Sequence, residues 1–126
     1  MQSTDNAPAA RFRNRPLAER KQRLERLASK NPEKIPIIFE KHRNSKMTAG
    51  AEDSKFISTR NIKLGEFTKQ LRDMWKLKED TSLFFSCGDR TVLKADVLIG
   101  DLYDQYKEED GYLYIQYREV ETFGNS

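Results

Sequence analysis

The sequence predicts a single domain of the α+β class, and three observations support this. The chain has 126 residues, enough for one hydrophobic core of modest size. Hydrophobic residues make up 37% of it and aromatic residues 10%, a composition that argues against a disordered chain. Segments with helical spacing and segments with strand-like alternation follow one another, which is typical of mixed helix and sheet structures.

The first predicted element is a helix within RPLAERKQRLERLASKNP, residues 15–32. Pro16 is suited to the first turn of a helix, and Pro32 ends the segment. Arginines and lysines occupy the other faces, so this helix is expected to keep one side in water. The residues that can share its apolar face are Leu17, Leu24, Leu27 and Ala28.

Two short strands, at 35–41 and 55–60, are predicted to pair as a hairpin with a long connection. Pro36 in the first strand indicates either an edge strand or a position whose N–H the sheet does not need. The clearest helix follows in LGEFTKQLRDMWKL, residues 64–77. Its apolar residues recur at helical spacing: Leu64, Phe67, Leu71, Met74 and Trp75.

The last third of the chain is predicted to form a strand, a helix and a strand. TSLFFS, residues 81–86, is the first of these, and CGDR after it is a turn. The helix begins near a cap at Asp96, and GYLYIQYRE, residues 111–119, forms the final strand. Because both faces of this strand are apolar, we expect it in the centre of the sheet. The order of elements is that of a ubiquitin-like β-grasp with an N-terminal helical extension.

Charge is distributed unevenly, although the formal net charge is only +3. Residues 11–46 hold 12 Lys or Arg against 4 Asp or Glu, a net charge of +8. Residues 96–121 hold 2 against 8, a net charge of −6. The first region would attract acidic partners, and the second would repel them.

The chain offers little of what an enzyme or a metal site needs. Its one histidine is His42 and its one cysteine is Cys87, too few for a four-ligand zinc site. A Cys–His dyad is conceivable, but one residue lies at a strand end and the other in a turn, so no enzyme is expected. The acidic stretch KEEDG, residues 107–111, lacks the spacing of calcium ligands and is expected to be a solvated helix end. We therefore expect no metal.

A cytoplasmic location is expected for the chain. No apolar run approaches the length of a membrane span, and the first 15 residues lack the apolar stretch of a secretory signal. A single cysteine fits a reducing compartment. The arginine-containing, acid-poor N-terminus leaves a transit peptide as an alternative.

Binding to nucleic-acid phosphates is a second interpretation of the basic N-terminal region. No aromatic stacking platform is interleaved with the cations, and Phe12 stands alone, so nucleic acid is disfavoured as a partner. A solvated helix face is the simpler interpretation. The cations concerned are Arg11, Arg13, Arg15, Arg20, Lys21, Arg23, Arg26 and Lys30.

Seven segments in a fixed order carry a resemblance to a known family. They are RPLAERK, NPEKIPIIFEK, LGEF, LRDMWKL, LFF, LYDQYKEEDGYLYIQY and TFG, and the match extends from about Arg11 to Gly124. With this order and spacing, the chain resembles the autophagy-related protein 8 family, the ubiquitin-like modifiers that include the gamma-aminobutyric acid receptor-associated protein. The resemblance implies a flexible terminus at 1–10, a helical extension at 11–32, a ubiquitin-like core at 33–124 and a removable tail at 125–126.

The resemblance also implies a use for the C-terminal ETFGNS, residues 121–126. In the family a cysteine protease removes the residues after a Phe/Tyr-Gly pair, and activating and conjugating enzymes join the glycine to phosphatidylethanolamine. Here Phe123 and Gly124 would be retained, the Gly124–Asn125 bond would be cut, and the lipid on Gly124 would be the only added group. A lipid with two acyl chains suffices for stable anchoring, so the conjugate would lie on autophagosomal or other vesicle membranes.

Recruitment of autophagy receptors is the second function that the resemblance implies. A receptor motif of the form aromatic-x-x-aliphatic would add a strand to the sheet edge at residues 55–58. The aromatic pocket, with the Lys55 stem over it, would be lined by Leu27, Pro36, Ile38, Lys55, Ile57 and Tyr112. The aliphatic pocket would be lined by Phe56, Ile62, Phe67 and Leu71. Basic residues for contact with partners or anionic lipid would be Lys21, Arg26, Lys30, Lys34 and Arg72.

The chain departs from the family pattern near these pockets. Ser58 and Thr59 stand where the family usually has Val-Pro, and Gln70 stands where it usually has an aliphatic residue. Arg23 stands where many members have an acidic residue close to the aromatic pocket, and Met74 replaces a basic residue. Burying an aliphatic anchor against unpaired polar groups costs about 1–3 kcal/mol per group. We therefore expect weaker or altered motif selectivity.

Two alternatives stay open. The modifier could be conjugated to a protein amine, as in the related autophagy-related protein 12 type, although the tail after Gly124 favours the lipid-linked branch. The chain could also be an unprocessed binding module whose basic N-terminal helix docks on an acidic partner.

Overall fold

The structure is a computed structural model that describes residues 11–42, 45, 53–88 and 91–121. Within them, a 3₁₀ turn at Phe12–Asn14 precedes the helices α1 (Leu17–Lys30), α2 (Gly65–Trp75) and α3 (Ile99–Tyr106). The strands are β1 (Ile35–Lys41), β2 (Ser54–Ser58), β3 (Thr81–Cys87), β4 (Thr91–Val92) and β5 (Leu113–Glu121). The two-residue β4 was not predicted, because a strand that short shows no alternation in the sequence.

The five strands form one mixed sheet in the order β2-β1-β5-β3-β4. The neighbouring strands β1 and β5 run parallel, with Ile37 opposite Leu113 and Lys41 opposite Tyr117. The other neighbouring pairs are antiparallel. Strand β5 therefore lies in the centre, as predicted, and the architecture confirms the ubiquitin-like α+β fold with an N-terminal helical extension.

Alternation along the central strands directs side chains into two separate cores. The inner face of the sheet, which packs with α2 and α3, buries Ile35, Ile37, Phe39, Leu64, Phe67, Leu71, Phe85, Cys87, Ile99, Leu102, Leu113, Ile115 and Tyr117. The outer face buries Phe12, Ile38, Tyr112 and Tyr114, with Leu24 of α1 packed against them. Because each buried large apolar side chain stabilises the fold by about 1.5–3 kcal/mol, the inner core dominates stability.

Helix α1 rests on the outer face through Leu24. Gly111, just before β5, has φ +91°, and a Cβ there would lie 2.3 Å from Leu24 Cδ2. Only glycine can adopt this positive φ without strain and also leave room for the Leu24 side chain. Leu27 is partly buried, whereas Ala28 is exposed, so the predicted apolar face of α1 does not include Ala28.

The structure decides between the two alternatives for Pro36 and shows that the expected cap of α3 is wrong. Strand β1 is not an edge strand, so the second alternative for Pro36 applies. Pairing with β5 begins one residue later, at Ile37, and the sheet needs no N–H from Pro36. Asp96 does not cap α3, because the helix begins at Ile99 and has no side-chain cap bond.

Candidate functional site

Strand β2 is the outermost strand on one side of the sheet, so its far side has no strand partner among the described residues. Its register places Ile57 opposite Pro36 and Lys55 opposite Ile38. Since directly opposite residues share a face, these four side chains lie on the outer face. The free edge can accept another extended segment, and an apolar surface adjoins it.

The pairs Pro36–Ile57 and Ile38–Lys55 form a patch on the outer face beside the edge strand. All four residues were predicted to line the aromatic pocket. Pro36 and Ile38 are buried, whereas Ile57 remains 40% exposed. Tyr112 joins the same cluster from the residue before β5, and Leu27 of α1 is partly buried. The fold thus brings residues from distant parts of the chain to one side of the edge strand.

Phe12, the single aromatic residue among the N-terminal cations, lies within this patch. Its side chain is 3% exposed, and its ring meets Tyr112 edge-on with a centroid distance of 5.0 Å. The ammonium nitrogen of Lys55 lies 4.5 Å from the centroid of the same ring. The sequence does not reveal this packing, because the neighbours of Phe12 along the chain are polar, while its packing partners come from β1, β2 and the start of β5.

The surroundings of Lys55 are electropositive. Burial lowers the pKa of Lys55, and the charges of Arg23 and Arg15 lower it further, while Glu19 opposes them. Glu19 accepts from Arg15 at 2.8 Å and from Arg23 at 3.3 Å, so it balances only part of this charge. A peptide with acidic residues would therefore be favoured beside this edge.

The four residues predicted to line the aliphatic pocket lie on the other side of β2. Phe56 meets Phe39 at 5.3 Å and Phe67 at 5.6 Å between ring centroids, both nearly perpendicular. Leu71 is fully buried and Phe67 nearly so, whereas Phe56 and Ile62 are partly buried against the inner core. An incoming side chain would reach Phe56 and Ile62 first, and a lining role for Phe67 and Leu71 stays a prediction.

One of the unusual polar residues near this second pocket is already paired. Ser58 is buried, and its hydroxyl donates to the carbonyl oxygen of Thr59 at 2.8 Å. Thr59 and Gln70 are exposed. Because only unpaired groups carry the desolvation cost, the expected loss of affinity would come from Thr59 and Gln70. The altered selectivity stays a prediction.

A buried carboxylate that was not predicted ties the N-terminal segment to the sheet. Glu40 on β1 is completely buried and accepts from Arg13 Nε at 2.7 Å and Nη2 at 3.0 Å. The same guanidinium donates to Glu108 at 3.1 Å and lies 4.2 Å from the ring centroid of Tyr114. The bond to Glu40, with Glu108 adding to it, raises the pKa of Arg13.

A second buried carboxylate, Asp110, corrects the expectation that KEEDG is fully solvated. Its Oδ2 accepts from Arg20 at 2.7 Å and from the Tyr114 hydroxyl at 2.5 Å. Its Oδ1 accepts the N–H of Tyr112 at 3.0 Å. Burial raises the pKa of Tyr114, and the bond to Asp110 raises it further.

The sequence contained one signal for the burial of Glu40. Alternation along the strand places Glu40 on the same face as the apolar residue Ile38.

Most of the N-terminal arginines are therefore occupied within the domain. Ion pairs to acidic side chains involve Arg11, Arg13, Arg15, Arg20 and Arg23. Fewer cations remain for phosphate contacts than the charge count suggests. The exposed residues for which the described part of the chain shows no ion pair include Lys21, Arg26, Lys30 and Lys34.

Arg72 has a role within the fold. Its guanidinium donates to the carbonyl oxygen of Lys78 at 2.6 Å and to that of Thr81. These bonds hold the connection between α2 and β3. A contact of Arg72 with partners stays a prediction.

Cys87 lies in the inner core and is unsuited to act as a nucleophile. Its thiol donates to the carbonyl oxygen of Tyr114 at 3.4 Å, and burial raises its pKa to about 12. A nucleophilic cysteine needs the opposite, a lowered pKa. Across the described residues, no group of three or more His, Cys, Asp or Glu is arranged to hold a metal ion. No helix in that part of the chain is long and apolar enough to cross a membrane.

The predicted processing site lies outside the described residues. This applies to Phe123, Gly124, Asn125 and Ser126, and also to residues 1–10. The described chain ends with β5 at Glu121, so the predicted site follows shortly after the central strand. Cleavage and lipid attachment at Gly124 stay predictions.

Comparisons with known proteins agree with this architecture. The sequence profile described as "Autophagy protein Atg8 ubiquitin like" matches residues 19–124. Autophagy-related protein 8 of Dictyostelium discoideum is 33% identical over 116 residues, which cover 90% of this chain and 93% of that protein. Autophagy-related protein 8 of Coccidioides immitis is 31% identical over 110 residues, or 87% and 92% of the two chains.

The fold has a solved counterpart as well. The crystal structure of Trypanosoma brucei ATG8 matches with a TM-score of 0.75 at 28% identity, covering 98% of this chain and 100% of that one. The profile spans all but the first two residues of α1 and the whole sheet, and the relatives are matched over most of their length. This chain belongs to the Atg8 family of ubiquitin-like autophagy proteins.

Proposed function

We propose that this chain is a conjugatable adaptor of autophagy. It is processed after Gly124, joined to phosphatidylethanolamine, and used to bring receptors with aromatic-x-x-aliphatic motifs to autophagosomal or other vesicle membranes. It passes between this membrane-bound form and a cytoplasmic one. The observation that carries the proposal is the free edge of β2 beside an apolar patch, on a chain of the Atg8 family.

Processing requires a terminus that an enzyme can reach while the domain stays folded. A cysteine protease would hydrolyse the Gly124–Asn125 bond, consuming one water and releasing Asn125-Ser126. Activating and conjugating enzymes would then join the Gly124 carboxyl to the lipid amine as an amide, with the loss of one water driven by hydrolysis of a nucleoside triphosphate. Glycine favours this step, because it has no side chain to obstruct a narrow channel.

Receptor docking would use the backbone and both sides of β2. The N–H and C=O groups of residues 55–58 would pair with the motif as an added strand. The aromatic anchor would enter on the side of Pro36 and Ile57, and the aliphatic anchor on the side of Phe56 and Ile62. Acidic residues in the receptor would be attracted by the positive charge around Lys55.

Intact mass spectrometry of the protein from its native cells tests the conjugation. We expect a cytoplasmic form that ends at Gly124 and a membrane form whose added mass corresponds to phosphatidylethanolamine. Gly124→Ala is the matched control and should abolish the membrane form. A full-length, unmodified chain in every fraction, also after starvation, would contradict the proposal.

Calorimetry with a Trp-x-x-Leu peptide tests receptor docking. Ile57→Asp places a charge at the exposed side of the edge and should weaken binding by at least about tenfold. Phe84→Asp is the control, since Phe84 is a 45% exposed apolar residue on β3, away from β2. Equal effects of the two substitutions would argue against docking at this edge.

The same experiments separate two alternatives. A chain that stays full length but binds an acidic protein through Lys21, Arg26, Lys30 and Lys34 would be the unprocessed binding module. The exposure of these cations favours it as the second candidate. A conjugate whose added mass is a protein would indicate transfer to a protein amine.

A further inference from the structure

The segment at residues 11–14, here the N-terminal strap, is fastened to the domain at three successive residues. Arg11 Nη2 donates to the carbonyl oxygen of Lys41 at 2.5 Å. The backbone N–H of Phe12 donates to Asp53 Oδ2 at 2.8 Å. Arg13 holds the buried carboxylate of Glu40 with two bonds. Together these contacts fix the ring of Phe12 against the outer face.

The ring of Phe12 packs with three of the six residues predicted to line the aromatic pocket. Ile38 and Tyr112 share its buried cluster, and Lys55 places its ammonium 4.5 Å from the ring centroid. All three were assigned to the aromatic pocket, and Lys55 was expected to cover the bound aromatic ring. It covers Phe12 instead. Ile57, at the edge strand, is left 40% exposed.

The construction of the strap makes an exchange of aromatic rings feasible. The strap is a single 3₁₀ turn outside the sheet, so its departure breaks no strand pairing. Burial of the Phe12 side chain favours the closed form by a factor of about 10 to 100, and the pairing of Arg13 with the buried Glu40 favours it further. A tryptophan anchor buries a larger apolar area, and strand addition contributes backbone hydrogen bonds. A receptor motif can therefore outweigh the internal ring.

We propose that Phe12 is an internal occupant of the aromatic pocket, and that the N-terminal strap must leave before a receptor's aromatic anchor can enter. This inference rests on the receptor docking proposed above. A binding site that is open only part of the time shows an affinity reduced by its open fraction. Receptor binding is thus limited by the chain itself, and whatever stabilises or releases the strap sets the apparent affinity.

Calorimetry with the Trp-x-x-Leu peptide on Phe12→Ala tests the proposal. Removing the internal ring should tighten binding by about tenfold or more, because the pocket is then open. Phe84→Ala is the matched control, a Phe-to-Ala change away from β2 that should leave the affinity unchanged. Unchanged or weaker binding by a folded Phe12→Ala protein would overturn the proposal, since a fixed wall of the pocket would behave in that way.

A second variant keeps the test valid if Phe12→Ala fails to fold. Arg13→Lys retains a positive charge opposite Glu40 but loses the two-pronged bond, so it loosens the strap without altering the pocket. We expect tighter peptide binding by several-fold. Unchanged or weaker binding by a folded Arg13→Lys protein would also overturn the proposal.

Hydrogen exchange of the Phe12 amide in the wild-type protein supplies an independent readout. This amide is protected by Asp53 in the closed form, so saturating peptide should speed its exchange. Slower or unchanged exchange in the complex would show that the strap stays in place. If neither the wild type nor any folded variant binds the peptide at millimolar concentration, receptor docking at this edge is refuted, and the proposed role of Phe12 in the pocket is refuted with it. If the wild type and all variants bind the peptide equally well, only the proposed role of Phe12 is refuted.

Discussion

The carboxylate of Glu40, completely buried on β1, is held in a two-pronged ion pair by Arg13, whose Nε and Nη2 lie 2.7 and 3.0 Å from its oxygens. The two residues belong to different layers, because Glu40 is in the sheet and Arg13 is in the strap that crosses its outer face. A buried carboxylate needs such a partner, since removing it from water is costly unless it is paired. The pair therefore links the position of the N-terminal strap to the stability of the sheet.

Removal of Arg13 is expected to destabilise the domain. Arg13→Ala leaves Glu40 buried with only Arg11, whose Nη1 lies 3.8 Å away. Breaking a buried pair costs about 3–5 kcal/mol, but the Arg13 side chain is about a third exposed, so we expect roughly 2–3 kcal/mol. Urea unfolding gives the value. Arg13→Met combined with Glu40→Leu should recover most of the loss, and a double variant as unstable as Arg13→Ala would contradict this account.

Substitution of Gly111 is expected to disturb the packing of α1 on the outer face of the sheet. In Gly111→Ala the alanine would have to adopt a backbone conformation with positive φ, and its Cβ would lie 2.3 Å from Leu24 Cδ2. We expect a loss of about 2 kcal/mol, from backbone strain together with displacement of Leu24. Gly88→Ala is the matched control, with φ +64° and a nearest atom at an ordinary 3.6 Å, so only strain of about 1 kcal/mol applies. Equal losses in thermal unfolding would argue against the Leu24 contact.

Asp53 is expected to make stability depend on pH. Burial raises the pKa of Asp53 above its ordinary value of 3.8, and Glu40 adds to this, while the Phe12 N–H, Arg11 and Arg13 act in the opposite direction. The folded protein thus holds this proton more tightly than the unfolded chain does. The resulting stabilisation is complete below about pH 3.8 and is lost as the pH rises through the folded-state pKa.

Asp53→Asn tests this dependence, because its amide oxygen can still accept the N–H of Phe12. We expect the variant to be more stable than the wild type at neutral pH, with a difference that shrinks toward pH ~3. Guanidinium unfolding at a series of pH values measures the difference in free energy of unfolding. A difference that does not change with pH would show that Asp53 has no raised pKa.

The thiol of Cys87 is expected to be unreactive toward alkylating agents in the folded protein. Its thiol is buried, and its pKa of about 12 leaves almost no thiolate at pH 8. Iodoacetamide should therefore modify the native protein only through its small unfolded fraction, and the guanidinium-unfolded protein much faster. Intact mass measured over time gives both rates. Rapid labelling of the native protein would mean that the thiol is accessible.

Elements whose pattern is local could be predicted well. The helices containing Leu24 and Leu71, the hairpin around Ile38, and the central position of β5 follow from spacing and from apolar residues on both faces of a strand. These features depend on residues a few positions apart, and the hydrophobic effect sorts them by face wherever the fold places them. The residues of the aromatic pocket were assigned through the family resemblance, and the pairs Pro36–Ile57 and Ile38–Lys55 show that four of them share one face of the sheet.

Features that depend on distant partners could not be predicted. Phe12 looks isolated in the sequence and is buried, because Tyr112 and Lys55 lie 100 and 43 positions away in the chain. Asp110 looks like a surface acid, and although strand alternation places Glu40 on the face of Ile38, nothing in the sequence indicates that Arg13 and Arg20 compensate these two charges. Burial of a charge or of a lone aromatic ring is a property of the assembled surfaces, so only the three-dimensional packing reveals the strap across the outer face of the sheet.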